Sequence, residues 1–198
     1  MTSPRLRIRA RLIRLFVYAV LGGVLSARAA GFDLDALMTL LSDHPHGRVS
    51  FVETRHLALL DRPIAARGDL VFIPPDRLER HTQAPRQESA ILDGDTLTLI
   101  REGRRRELSL SQHPGIALLI GSLRAVLSGD RARLERDFVL SHAGTPDAWI
   151  LDLLPRAPEA VPSLRRIHLV GSRGQVERVE MIETDGDRSV IEIGDALP

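Results

Sequence analysis

The chain has 198 residues, with 27 basic and 26 acidic side chains, 43% apolar residues and no cysteine. Every basic residue is an arginine, and six of them lie in residues 1–29, which hold no acid. The remainder carries 21 arginines against 26 carboxylates, a formal charge of −5, so the basic balance that would favour nucleic acid disappears, and a disulfide scaffold is excluded outright.

Arg5, Arg7, Arg9, Arg11 and Arg14 lead into an apolar run, Leu15 to Leu25, followed by Ala27-Arg28-Ala29. A basic start, a short apolar core and small residues at an A-x-A site describe a secretory signal peptide, here cleaved after Ala29. As a helix the run spans about 16 Å, short of the ~30 Å of a bilayer core. Its retention as an uncleaved anchor is the alternative. The expectation is export to the periplasm, with residues 1–29 as signal and 30–198 as one domain. Phe32, Phe51, Phe72, Phe138 and Trp149 are the only aromatic residues after position 29, too few for a nucleic-acid stacking platform.

Asp33 is placed to cap a helix from Leu34, in which Leu34, Leu37, Met38 and Leu41 form one stripe. His44-Pro45-His46-Gly47 stops it. From Arg48 the period changes, and strands are predicted near 48–57, 64–73, 77–82, 87–93, 95–101 and 105–110. Pro74-Pro75, Ala84-Pro85, Asp93-Gly94 and Glu102-Gly103 punctuate them as an antiparallel meander. A second helix is predicted over Pro114–Leu127, capped by Ser111 or His113, with Pro114 in its first turn and Gly129 beyond its end. It is apolar on most sides, as buried helices are. Its Gly115 and Gly121 either let it shift or permit close packing. A short helix follows at Arg131–Glu135, then strands near 137–143, 147–154, 165–171, 175–184 and 188–193. About eleven strands and two or three helices in 169 residues predict an α+β, mostly β fold. An antiparallel sheet this wide curls, and apolar helices over its concave side would make a greasy tunnel.

The chain resembles the outer-membrane lipoprotein carrier (LolA-like) family, as a divergent branch. The resemblance rests on the helix at 34–42, Phe51–Arg55 (FVETR), Gly68–Pro85, Leu92–Leu99, Leu127–Phe138, Trp149–Pro155 and Glu183–Ser189, in that order. It implies an incomplete antiparallel β-barrel with helices as a lid. It also implies a periplasmic carrier that moves a lipidated protein or other lipid between the membranes, without a cofactor and without catalysis. The implied partners are acylated cargo, an inner-membrane donor complex and an outer-membrane acceptor; the carrier is expected to be a monomer that binds no nucleic acid. Family members place a lid-holding arginine just before the proline that ends the Gly-Asp-Leu strand; here Pro74 stands there. Arg80 occupies the place of an expected aromatic residue on the next strand.

Cargo tails are expected against Phe51, Leu70, Phe72, Leu97, Leu99, Leu118, Leu119, Leu123, Trp149 and Leu151, with Arg77 and Arg80 either rim or head-group contacts or, with Glu79 and His81, part of a salt-bridged outer face. A one-residue slip of register would invert any of these strand faces. Arg101, Arg104, Arg105 and Arg106 form the densest basic cluster, read either as a solvated hairpin tip or as a contact for an acidic partner or anionic head groups. His44-Pro45-His46 lacks a third ligand, and Asp93-Gly94-Asp95 and Asp185-Gly186-Asp187 lack the rest of a calcium loop. No metal site or catalytic residue is expected. An envelope interaction or sensor module with the same half-barrel, and a periplasmic lipid-processing enzyme, are the alternatives.

Overall fold

A computed structural model describes residues 31–43, 47–158 and 163–196. The signal segment, the His44–His46 pair and part of the proline-rich 155–162 loop lie outside the described residues.

Helix α1 (Leu34–Ser42) starts where its cap predicts: the Asp33 carboxylate accepts from the Ala36 amide at 2.9 Å. Six strands follow as a meander: β1 (Arg48–His56), β2 (Ile64–Ile73), β3 (Arg77–Ala84), β4 (Glu88–Asp93), β5 (Thr96–Arg101) and β6 (Arg104–Ser109). A single 3₁₀ turn at Leu110–Gln112 leads into α2 (Pro114–Leu127) and α3 (Arg131–Asp137). His113 occupies the cap position of α2 without a side-chain cap bond, so neither it nor Ser111 plays the capping role expected of them; Ser111 instead bonds Ser109. The meander resumes with β7 (Phe138–Thr145), β8 (Ala148–Pro155), β9 (Leu164–Ser172), β10 (Gln175–Glu183) and β11 (Arg188–Ala196).

All eleven strands join one antiparallel sheet in the order β6-β5-β4-β3-β2-β1-β11-β10-β9-β8-β7. The first and last strand groups meet at the β1–β11 pair, and β6 and β7 form the edges. The sheet is curled and does not close, the expected half-barrel.

The helices cover one half of its inner face. Leu37, Met38 and Leu41 of α1, Ala125 and Val126 of α2 and Leu134 of α3 pack on Phe138, Trp149, Leu151, Leu153, Leu164, Ile167 and Leu169. Trp149, Leu151 and Leu153 are essentially inaccessible. The Trp149 indole donates to the Arg173 carbonyl at 2.9 Å, which satisfies its only polar atom. Gly171 is its floor: a Cβ there would lie 2.3 Å from the ring and 2.1 Å from the Gln175 carbonyl oxygen.

Backbone cannot yield as a flexible side chain does, so Gly171→Ala is expected to cost at least about 2 kcal/mol. Urea unfolding measures this, and an unchanged midpoint would refute the close-packing account of Trp149.

Candidate functional site

The other half of the inner face, on β1–β6, is ordered by register into rows. One row is apolar: Leu78, Leu92, Leu97 and Leu108 on adjacent strands β3 to β6, with Phe72 beside Leu78 on β2. The next is mixed: Leu70, Arg80, Ala90, Leu99 and Arg106. The third is polar: Thr82, Glu88, Arg101 and Arg104. A cavity of about 400 Å³ lies over the mixed and polar rows.

A charged knot on the same face links β11 and β1 to β3, across β2. Glu53 is 5% exposed, and alternation puts it on the face of Phe51. Ser189 donates to one carboxylate oxygen at 2.6 Å and Arg80 to the other at 2.5 Å, while Arg55 pairs with the first at 3.2 Å. The Arg80 guanidinium also stacks over the Phe51 ring, 4.2 Å from its centroid. Burial pushes the Glu53 carboxyl up, but the Ser189 hydrogen bond and the Arg80 and Arg55 charges outweigh it and hold it below its ordinary value.

Helix α2 is tied to this half of the sheet by Arg124. Arg124 donates to the main-chain carbonyl of Asp76, in the β2–β3 turn, and to that of Gly94, in the β4–β5 turn, at 2.8 Å for the latter. Its Nε is buried without a partner. Burial lowers its pKa, with nearby Arg133 adding to this and the Asp76, Asp93 and Asp95 charges opposing it. Pro74 displaces the arginine expected on the strand, and Arg124 makes the tie from the opposite side. Gly121 admits the Arg133 guanidinium, 3.2 Å from where a Cβ would stand, which is a packing role.

The register puts Phe51, Leu70, Phe72, Leu97, Leu99, Trp149 and Leu151 on one face. They do not form one open surface. Trp149 and Leu151 lie in the helix-covered core, and Leu118 and Leu119 pack against that core. Phe51 and Phe72 are buried outside it, Leu99 is partly open, and Leu123 is 42% exposed. Arg80 points inward, engaged by Glu53. Arg77 lies on the other face, paired with Glu79 at 2.7 Å and Asp93 at 2.8 Å, because its register parity is opposite to that of Arg80; it does not line the cavity. His81 shares that outer face, between Glu79 and Ser89. Sequence reasoning missed Glu53 and Arg124. Their signals were a carboxylate in phase with Phe51 and one arginine in an apolar helix. Among the described residues no three His, Cys, Asp or Glu side chains converge as a metal site.

Glu53→Ala would strand the Arg80 guanidinium and is expected to cost about 1.5–3 kcal/mol in urea unfolding. A carboxyl depressed in the fold contributes fully above its unfolded pKa of about 4.3, and the contribution drains as pH falls through the lower native value. The acid limb of stability against pH should therefore be shallower in Glu53→Gln; superimposable limbs would remove Glu53 as its cause.

Comparison with known proteins agrees with this architecture. The family described as outer membrane lipoprotein carrier protein LolA-like matches residues 26–196. No curated protein matches in sequence. Among solved structures, a LolA superfamily protein from Nitrosomonas europaea aligns at 13% identity and TM-score 0.42, covering 83% of this chain and 94% of that one. A chain of the Pseudomonas aeruginosa MucA/MucB complex aligns at 10% identity and TM-score 0.44, covering 84% of this chain but only 59% of that one. Mycobacterium tuberculosis lipoprotein LppX aligns at 11% identity and TM-score 0.41, covering 81% and 93%. With an open eleven-stranded sheet, helices over its inner face and a family match that spans all of the described residues, this chain is a member of the LolA-like family.

Proposed function

We propose that the exported domain is a periplasmic carrier that binds the acyl chains of a lipidated protein or other lipid and moves it between membranes without chemistry. The observation that carries this reading is the division of one face between a helix-covered apolar core and a separate apolar row, in which Phe72 and Leu92 are buried and Leu78, Leu97 and Leu108 are partly exposed, with one helix tied across both. A sixteen-carbon chain in water forfeits roughly 13 kcal/mol at ~0.8 kcal/mol per methylene, so it crosses an aqueous space only when covered. The second stripe of α2 supports the same reading. Ile116 and Leu123 are exposed although the helix has a buried side of its own at Gly121, Ser122, Ala125 and Val126. Expected partners are an inner-membrane donor and an outer-membrane acceptor. Cargo tails would lie on Phe51, Leu70, Phe72, Leu97 and Leu99, and on Leu118, Leu119, Leu123, Trp149 and Leu151 once the helices lift.

Native mass spectrometry of the protein purified from periplasm is expected to find an acylated species bound. Protein that is always empty, and that also fails to bind a fluorescent fatty-acyl probe, would overturn the carrier. The tie predicts a second result. Arg124→Ala should raise hydrogen exchange in 114–127 at least about fivefold, by freeing two turn carbonyls from their donor, while exchange in β8 and β9 stays slow. Equal exchange in both proteins would mean that Arg124 does not hold the lid.

A further inference from the structure

We infer that the cavity over β3–β6 is a head-group site for an anionic amphiphile, with Arg104 and Arg106 as the phosphate- or carboxylate-binding side chains and the tail directed toward Leu97. This inference rests on the carrier reading and names the class of its ligand.

The register separates the basic run into two sets. Arg105 points to the outer face, where it meets Glu107 at 2.6 Å. Arg104 and Arg106 lie on the inner face, opposite Arg101 and Leu99 of β5. Arg80 is engaged by Glu53 at 2.5 Å and Arg101 by Glu88 at 3.2 Å. Among the described residues the Arg104 and Arg106 side chains have no hydrogen bond or ion pair. The cavity thus holds four arginines against Glu88 and Glu102, and the two arginines without an ion pair stand side by side on one edge strand. Two guanidiniums presented together offer forked donors that suit phosphate or carboxylate oxygens.

The rows add a direction. Along β5 the inward positions run Arg101, Leu99, Leu97, from charged to mixed to apolar. Inward positions recur about every 6.8 Å along a strand, so the polarity changes over roughly 14 Å. That is the profile of a molecule with a charged end and a greasy end. A solvated hairpin tip needs no such ordering, and a site for a free small anion needs no apolar row.

Two lysolipids of equal chain length test this, lysophosphatidylglycerol and lysophosphatidylcholine, with glycerol phosphate as a third probe. Each is titrated below its critical micelle concentration into the mature protein by calorimetry. The anionic lysolipid is expected to bind at least about tenfold more tightly than the zwitterionic one. The Arg104→Gln/Arg106→Gln variant should lose that preference and keep its affinity for lysophosphatidylcholine within about twofold. Both side chains are exposed, so the variant is expected to fold, and a parallel salt titration of the unmutated protein gives an independent reading: added salt should erode the preference. Equal binding of the two lysolipids, or a preference that survives in the variant, overturns the head-group site and leaves the carrier standing. Glycerol phosphate that binds as tightly as the anionic lysolipid makes this a small-anion site and overturns the amphiphile. Failure of both lysolipids to bind overturns the carrier reading and the head-group site together.

Discussion

The Arg124 guanidinium donates to the carbonyls of two turns, Asp76 and Gly94, that end β2 and begin β5. The helices pack their apolar side chains on β7–β10, and Arg124 ties them to the β1–β6 half as well. A guanidinium held by neutral carbonyls is bound by hydrogen bonds without a full countercharge. Its buried Nε has no partner, so part of its hydration is lost without return. Such a tie is directional and modest. It positions the helix and can be given up without exposing a carboxylate.

The inner face is set by parity as much as by composition. In β1 the alternation Phe51, Glu53, Arg55 sends an aromatic ring, a carboxylate and a guanidinium to one side. In β3 the same rule turns Arg80 inward and Arg77 outward, three residues apart and with opposite surroundings. Glu53 is tolerated in burial because Ser189 and Arg80 occupy its two oxygens. The knot joins β1, β3 and β11, the strands on either side of the seam where the two halves of the sheet meet.

The order of elements was legible because the turn chemistry was strong. Pro74-Pro75, Ala84-Pro85, Asp93-Gly94 and Glu102-Gly103 leave little room for anything but a meander, and the Asp33 cap marked α1 to the residue. The inward phase of each strand was not legible, because a one-residue slip inverts it; the register decides it, and it turns Arg77 to the outer face. What remained hidden depended on pairings distant in sequence. Glu53 meets Arg80 across 27 residues and Ser189 across 136, and no local pattern announces either partner. Arg124 was visible as an oddity, but its acceptors are main-chain atoms, which carry no side-chain signal. The Arg101–Arg106 run looked uniform until the register divided it between faces.

On the carrier reading, the arrangement also bears on how cargo is released. The apolar row is short along each strand, because charged side chains, Arg80 and Arg106, begin one inward step away from it. A long tail must therefore cross strands at ~4.8 Å each and pass beneath α2 toward the core that the helices now cover. There it competes with the helices' own apolar side chains for the same floor, Trp149, Leu151 and Leu169 among it. Whatever part of that floor the cargo covers, the helices must first uncover. The net free energy of loading is therefore far smaller than the ~13 kcal/mol of transferring a sixteen-carbon chain out of water. A cavity that stood open and fully apolar would retain its cargo. One that the protein fills for itself when empty can let cargo go.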